Sequence, residues 1–313
     1  MERAEALDVA EATLHNSGFT VSRICNPRTS CFDFAARKEE NLVFVKVLID
    51  IKDISPTDAV GLRAVAKCFD CTSLIISDMN GNEKLSDDTL YSRYDVYVVT
   101  FKTLDDIVRG IYPMIEATPG GYFVRLDGDE IRARRHDLGL SIGKLAGMVG
   151  ISRRALYGYE RELTRASVSI AYKLTEILGV PLVKTINILR NSQNDQKTDT
   201  SFQQSNCMKN KFHRLIMDKF TQLEFKVTQL RRAPFDFAMS CPKTNLRIIG
   251  SFLRKKRQDI NNQLEEMMRL SEVIKARPVF FGINPRNIPQ SVPFLGLKEL
   301  TELSKKEELL SLL

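Results

Sequence analysis

Hydrophobic positions in the middle of the chain recur at helical spacing. Between residues 127 and 190, apolar residues fall three or four positions apart, and short polar runs separate the groups. Asp127 or Asp129, Ser141 and Ser152 stand where helices would begin, because their side chains accept free N–H groups of a first helical turn. Glycines stand where several of these helices would end. The pattern predicts five short helices with tight connections.

The second and third predicted helices have the spacing of a sharply crossed pair. A small residue must stand at the crossing, which Ala146 provides, and Gly150 supplies the tight turn. Leu156 and Tyr159 then face the seam between the two helices. The outward face of the third helix carries Arg153, Arg154, Tyr157, Gly158 and Arg161. Because arginine pairs bidentately with guanine in the major groove, this face predicts DNA binding.

These residues carry a resemblance to a known family. The runs LSIGKLAGMVGISRRALYGYE and SVSIAYKLTEILGV resemble the helix-turn-helix of the Cro/CI-type (XRE-like) repressors, a lambda-repressor-like helical bundle. The resemblance implies that the helix starting at Ser152 reads the major groove, while the start of the second helix binds phosphates. The family's common phosphate-binding glutamine is Ile142 here, so Ser141, Lys144 and backbone amides would have to substitute. The predicted DNA-binding residues are Ser141, Lys144, Ser152, Arg153, Arg154, Tyr157, Gly158 and Arg161.

Strand-like and helical runs alternate on both sides of the helical stretch. The runs FTVSRI, CFDFAAR and NLVFVKVLID before residue 51 match EFKVTQL, FDFAMS and NLRIIGSFL around residues 224–253. Each copy is predicted to run as helix, three strands, helix, strand, strand, helix, which is an α/β arrangement. Thr118 to Gly121 predicts a hinge before the helical stretch. The predicted domains are 1–118 (α/β), 122–190 (helix-turn-helix), 191–208 (flexible linker) and 209–313 (α/β).

The order of elements in each copy resembles the restriction-endonuclease-like fold. Active members of that fold place one acid on a strand and an acid-x-Lys on the next strand, which hold Mg²⁺. Asp33 and Lys46 fit the first acid and the lysine, but Phe44 stands where the second acid is needed. In the second copy Asp236 remains, and Gly250 is predicted at the lysine position. We therefore expect two degenerate nuclease-like domains with no catalytic residue, metal or cofactor, in a protein that is not an enzyme.

Charge is unevenly distributed along the 313 residues, whose net charge is +7. Residues 1–120 hold 13 basic and 19 acidic residues, 121–190 hold 12 and 7, and 191–313 hold 21 and 13. A basic middle suits a module that binds phosphates. The chain lacks an apolar run of about 18 residues and its N-terminal stretch is charged, which predicts a cytoplasmic protein without a membrane partner.

Two groups of side chains leave alternatives open. Cys25, Cys31, Cys68 and Cys71 could form a structural zinc site, although the fit of Cys68 to an apolar helix face favours buried thiols. Basic side chains outside the recognition helix could touch DNA phosphates or form a solvated surface. The second group consists of Arg132, Arg134, Arg135 and the run 254–257.

Two nuclease-like copies around a Cro/CI-like motif resemble a group of archaeal transcriptional regulators. The resemblance implies a sequence-specific regulator that binds double-stranded DNA as a two-fold homodimer. One alternative is a Mg²⁺-dependent nuclease targeted by the helix-turn-helix. Another is a non-catalytic adaptor of a transcription or restriction system. Salt-dependent DNA binding and Mg²⁺-dependent cleavage separate the three.

Overall fold

The computed structural model describes residues 2–22, 30–189, 211–230, 232–241, 243–252, 257–282, 293–303 and 308–309. The predicted linker, Cys25 and residues 254–256 of the basic run lie outside this set. The chain divides into two compact units, which are described separately. The first comprises residues 1–75, 94–96 and 188–313, and the second comprises 76–93 and 97–187.

The elements follow the predicted alternation in both flanks. The helices are α1 Arg3–Asn16, α2 Pro56–Phe69, α3 Phe101–Val108, α4 Gly128–Asp137, α5 Ile142–Val149, α6 Arg153–Glu160, α7 Val168–Leu178, α8 Lys211–Gln222, α9 Arg257–Ile274 and α10 Leu297–Glu302. The first strands are β1 Thr20–Val21, β2 Phe34–Lys38, β3 Asn41–Val47, β4 Thr72–Ile76, β5 Met79–Asn80, β6 Glu83–Lys84, β7 Thr89–Arg93, β8 Val96–Val99 and β9 Ile115–Thr118. The remaining strands are β10 Gly121–Leu126, β11 Ala166–Ser167, β12 Val183–Lys184, β13 Lys226–Gln229, β14 Phe237–Cys241, β15 Leu246–Phe252, β16 Arg277–Phe281 and β17 Phe294–Leu295. No helix of the described residues is long and apolar enough to cross a membrane.

The first unit contains the same topology twice. Its strands are ordered β1-β2-β3-β4 in the N-terminal copy and β13-β14-β15-β16-β17 in the C-terminal copy. The pairs β2–β3 and β14–β15 are antiparallel, and β15 and β16 run parallel. Strands β2 and β14 are almost continuously buried, because helices cover both faces of the sheets. The FDFA repeat therefore supplies core: Phe32, Phe34, Phe235 and Phe237 are fully enclosed.

Strand pairing corrects one predicted equivalence between the copies. Phe34 pairs with Val45, 11 positions later, whereas Phe237 pairs with Gly250, 13 positions later. The second hairpin therefore carries two extra residues. Gly250 corresponds to Val45, and the residue that corresponds to Lys46 is Ser251. The prediction that Gly250 replaces the lysine was wrong, because it matched Asn41 with Asn245, whereas strand pairing matches Asn41 with Leu246.

The two copies pack against each other with reciprocal contacts. Arg37 on β2 donates to the carbonyls of Val273 (2.6 Å) and Ile274 (2.8 Å) at the end of α9. Ser240, the β14 residue that corresponds to Arg37, donates to the carbonyl of Cys68 near the end of α2 (2.5 Å). Equivalent phenylalanines also face each other, with the ring centroids of Phe32 and Phe235 6.2 Å apart. Reciprocity of this kind defines a pseudo-twofold interface.

The second unit joins the helix-turn-helix bundle to a sheet. Its strands are ordered β8-β7-β9-β10-β11, and β12 also pairs with β10. Val124 and Leu126 of β10 belong to the same core as Ile131, Leu145 and Leu156 of the helices. Strand β10 thus forms part of the hydrophobic core of the helix-turn-helix bundle.

Two sequence predictions about elements of this unit were wrong. Thr118 to Gly121, predicted as a hinge, forms the turn of the antiparallel hairpin β9–β10. Between residues 127 and 189, four helices (α4 to α7) form in place of the five predicted, and the chain after α7 contains β12, whose Val183 pairs with Leu126.

Candidate nucleic-acid interface

The crossed pair of helices has the local geometry that its residues favour. The side chains of Ser141 and Ser152 each accept a backbone N–H three residues later, from Lys144 and Ala155, at 3.1 Å. Between the helices, Gly150 adopts φ +82°, a conformation that costs other residues strain. Ala146 is fully buried at the crossing. These caps and this turn fix the relative direction of α5 and α6.

The surface of this pair holds the predicted DNA-binding side chains, with one exception. Gly158 is buried, and a Cβ there would lie 2.9 Å from Thr164 Oγ1, so its role is packing against the following loop. Its prediction as an outward residue was therefore wrong. The exposed members of the set are Ser141, Lys144, Ser152, Arg153, Arg154, Tyr157 and Arg161.

The side chains of Tyr157 and Arg161 contact each other on this surface. The Arg161 guanidinium carbon lies 5.1 Å from the centroid of the Tyr157 ring, within cation–π range. These two side chains line a cleft together with Arg132, Arg135, Ile142 and Glu160. The cleft edge next to α6 is consequently cationic and aromatic.

The basic residues of 121–189 separate into two groups. Six contact acceptors of the protein itself: Arg125, Arg132, Arg134, Arg135, Arg165 and Lys184. The others have neither an acid nor a carbonyl partner within the described residues, and they are Lys144, Arg153, Arg154, Arg161 and Lys173. Four of these five lie on α5, on α6 or directly after α6. The cations left available for an external anion therefore concentrate at the crossed pair.

A buried ion pair holds α6 against α4. Arg135 Nε lies 2.6 Å from Glu160 Oε1, and Arg135 Nη2 lies 3.1 Å from Oε2, with both side chains almost fully buried. Arg132 adds a bond to the Glu160 carbonyl at 2.8 Å. Arg134 donates to the Leu178 carbonyl at the end of α7. The three arginines of α4 thus all bind acceptors within the bundle itself.

Glu160 and Arg135 were not predicted as functional residues. A charged pair at buried positions breaks the apolar periodicity that marks a core face, so the periodicity could not identify it. The sequence did contain one signal for this pair. Glu160 lies one helical turn after Leu156, a core residue, so an acid stands on the face that should be apolar. A buried acid requires a cationic partner.

The acid at the nuclease-like site of the N-terminal copy is bound by two cationic side chains of the same chain. Asp33 is 4% exposed. Its Oδ1 accepts from Arg3 Nη2 at 2.7 Å and Lys46 Nζ at 3.2 Å, and its Oδ2 accepts the Val47 N–H at 2.8 Å. Phe44 is fully buried where a second acid would be needed. One carboxylate with both oxygens occupied and two adjacent cations does not fit Mg²⁺, which needs several oxygen ligands.

The corresponding site of the C-terminal copy contains a neutral hydroxyl in place of the ammonium group. Ser251 Oγ donates to Asp236 Oδ2 at 2.9 Å, and the Phe252 N–H donates to the same oxygen at 2.8 Å. Gln263 Nε2 donates to Ser251 Oγ at 2.5 Å. Asp236 therefore ties β14 to β15 and, through Ser251, to α9.

The cysteines of the described residues are buried free thiols. Burial raises the pKa of Cys31 to about 12 and that of Cys68 to about 11, and it also raises the pKa of Cys71. Burial thus favours the neutral thiol in each case. Among the described residues no group of His, Cys, Asp and Glu could hold a metal ion. Cys25, the fourth member of the zinc alternative, lies outside them.

Comparisons with known proteins find both a nuclease-like domain and a helix-turn-helix domain in this chain. Residues 3–113 match a PD-(D/E)XK superfamily domain, and residues 131–184 match a helix-turn-helix domain. Relatives that carry the name "Putative HTH-type transcriptional regulatory protein" align over nearly the whole chain. One from Pyrococcus horikoshii is 31% identical over 100% of this chain and 98% of its own. Those from Methanosarcina acetivorans and Archaeoglobus fulgidus are 31% and 30% identical, over 95% and 96% of this chain and 92% and 94% of theirs.

A solved structure of the SinR protein/SinI protein complex is 22% identical to this chain. It covers 30% of this chain and 78% of its own, with a TM-score of 0.16. A score this low supports no conclusion about the fold.

Proposed function

Because this chain belongs to the family of archaeal HTH-type transcriptional regulatory proteins, we propose that it is a sequence-specific regulator that reads the DNA major groove with α6. Arg154 and Tyr157 approach base edges, and Arg153 stands beside them at the start of the helix. Ser141, Lys144 and Arg161 contact the phosphate backbone on either side. This assignment fits an exposed helix of eight residues that begins at a capped N-terminus.

One observation carries the proposal. In the helix-turn-helix stretch, most arginines are bound to acceptors of the protein, whereas Lys144, Arg153, Arg154 and Arg161 are exposed without acid or carbonyl partners among the described residues. A surface that leaves cations unpaired on one helix pair is suited to an anionic partner, and DNA supplies anions at regular spacing.

The decisive experiment measures affinity for an operator and for random DNA over a range of salt. DNA fragments selected from the source genome by the protein would supply the operator. We expect Arg154→Ala to weaken operator binding by roughly 1–3 kcal/mol with little effect on random DNA. Lys144→Ala should weaken both alike, because a phosphate contact carries no sequence information. No salt-dependent affinity for any DNA would favour the adaptor alternative instead.

We further propose that two chains bind DNA together. Helix-turn-helix proteins of this type place two recognition helices about 34 Å apart, one turn of DNA, so that they read a two-fold symmetric site. A palindromic operator and a complex of two chains per site, measured by light scattering of the protein–DNA complex, would support this arrangement. A single chain per site on a non-palindromic sequence would contradict it.

The nuclease-like domains are proposed to be non-catalytic. Asp33 is neutralised by Arg3 and Lys46, and the second acid is absent from the position of Phe44. Incubation with supercoiled plasmid and Mg²⁺ should leave the DNA intact. Cleavage that disappears in Lys46→Ala would establish the nuclease alternative and refute this part of the proposal.

A further inference from the structure

The side chain of Arg153 lies against a glycine of the neighbouring helix. A Cβ at Gly143, in the first turn of α5, would lie 2.8 Å from Arg153 Nε and 3.1 Å from both Cζ and Nη2. Contacts below 3.0 Å essentially do not occur for real Cβ atoms. The guanidinium group therefore occupies space that any other residue at position 143 would fill.

This contact places the Arg153 guanidinium beside the first turn of α5, at the end of that helix that also carries Ser141 and Lys144. Arg154, the next residue of α6, is exposed like Arg153 and has no acid or carbonyl partner among the described residues. A guanidinium placed beside α5 and its neighbour on α6 are suited to different parts of the DNA.

The surroundings of Arg153 favour an anion. Arg153 has no acid partner among the described residues, and Lys144 stands on the same turn of α5. The first-turn N–H groups of α5 add partial positive charge at this end of the helix. Two cations without acid partners at this end of the helix favour a negative group there. In a DNA-binding protein that group is a backbone phosphate.

We propose that Gly143 is a positioning residue that directs Arg153 to the DNA phosphate backbone, leaving base recognition on α6 to Arg154 and Tyr157. The inference rests on the proposed function, because it assigns roles within the same interface. It makes Gly143 a determinant of DNA binding although glycine has no side chain to offer the DNA.

The chain offers a matched control for this proposal. Gly147 lies on the same helix one turn later, and a Cβ there would meet nothing within 4 Å. Alanine favours a helix over glycine at both positions, so Gly143→Ala and Gly147→Ala should each hold or raise the Tm. Only Gly143→Ala displaces the Arg153 guanidinium, which can move cheaply because it is the end of a flexible side chain. A loss of DNA binding with an unchanged or higher Tm therefore separates positioning from folding.

The test measures fluorescence anisotropy of full-length protein on the selected operator and on random duplex DNA, at several salt concentrations. Arg153→Ala should weaken both by a similar factor and reduce the slope of log K against log salt by about 1, the effect of one lost phosphate contact. Gly143→Ala should reproduce that loss, the double variant should lose no more than Arg153→Ala, and Gly147→Ala should bind like the wild type.

Other outcomes have separate meanings. If Arg153→Ala lowers operator affinity roughly 5- to 150-fold but leaves the salt slope and random-DNA affinity unchanged, Arg153 reads bases and the inference is wrong while the proposed function stands. Wild-type binding by Gly143→Ala would likewise overturn the positioning role. If the wild-type protein shows no salt-dependent affinity for any DNA, the proposed function itself fails.

Discussion

Glu160 occupies the point where two helices of the DNA-binding bundle meet. Its carboxylate is bound by two guanidinium nitrogens of Arg135, and its own carbonyl accepts from Arg132. In a buried setting such a pair contributes less net stability than its geometry suggests, because both charges lose water. Removing one partner is different, since it leaves the other charge buried and unpaired.

We therefore expect Glu160→Gln to destabilise the protein by about 3 kcal/mol or more. Because α4 and α6 are the helices joined by the pair, amide hydrogen exchange should rise in both. Mass spectrometry of exchange and urea denaturation followed by circular dichroism would measure the effect. Glu176→Gln is the matched control, because Glu176 is exposed on α7 and a surface substitution usually changes stability by less than about 0.5 kcal/mol. Equal effects of the two would refute the structural role of Glu160.

At the level of elements, the start of α4 approaches the end of α6 closely. A Cβ at Gly128 would lie 2.5 Å from the Glu160 carbonyl oxygen and 2.7 Å from that of Tyr159. These are backbone atoms, which cannot move aside as a side chain can. Gly128 is thus required by packing and not by an unusual φ angle.

Gly128→Ala should accordingly lower the free energy of unfolding by about 1–3 kcal/mol, as overpacking does in a well-packed interior. Urea denaturation of the purified variant measures this. A stabilised Gly128→Ala protein, of the kind that helix propensity alone would give, would show that the two helices can separate without cost.

The cap of α4 gives the bundle a dependence on pH. The Glu130 N–H bonds to the Asp127 carboxylate and, with help from Lys184, holds the pKa of Asp127 below its usual value. A carboxyl whose pKa is lowered by folding stabilises the protein above its unfolded pKa of about 4, and that contribution is lost as pH falls through the folded value. An asparagine side chain would also cap the helix but carries no charge, so its contribution does not change over this pH range.

Urea denaturation of wild type and Asp127→Asn at pH 6 and pH 3 tests this dependence. The wild type should be the more stable at pH 6, and the difference should shrink as pH falls to 3, because protons then bind the unfolded carboxyl more readily than the folded one. A difference that grows at pH 3 would contradict the sign of the pKa shift.

Elements with local signals were predictable from the sequence. Ser141 and Ser152 marked the starts of α5 and α6, and the structure confirms both caps. The short strands β11 and β12 carry no such signal, because two-residue strands exist only through pairing with β10. The same limit explains the hairpin of Thr118 to Gly121: Pro-Gly-Gly indicates a break but not whether the chain turns back. Helical periodicity predicted which side chains of the candidate site are exposed, except at Gly158, whose burial depends on the loop at Thr164.

At the scale of the whole molecule, the two nuclease-like copies bind each other through equivalent strand residues. Arg37 binds the carbonyls that end α9, and Ser240 binds a carbonyl at the end of α2. Burial lowers the pKa of Arg37, because the guanidinium has lost much of its contact with water. The limits 1–118, 122–190 and 209–313 remain predicted domain boundaries. Residues 1–75 and 209–313 belong to one compact unit, whereas 76–93 and 97–118 belong to the other.

The contact between the copies predicts that a substitution in the N-terminal copy affects a helix of the C-terminal copy. Arg37→Met should increase amide hydrogen exchange at the end of α9, since those carbonyls lose their buried donor. Exchange measured by mass spectrometry on full-length protein would show it. Arg109→Met, which removes an exposed ion pair with Asp105 in the other unit, should leave α9 unchanged. An unaltered α9 in Arg37→Met would mean that the copies are held together by other contacts.

The reciprocal interface has a consequence for how such a chain can change over generations. When two identical chains associate, every substitution appears on both sides of the axis at once and must be compatible with itself. Here the two sides are encoded separately, so each can vary against a fixed neighbour. An arginine at position 37 and a serine at position 240 bind helix-end carbonyls with different chemistry, a difference that two identical chains could not have.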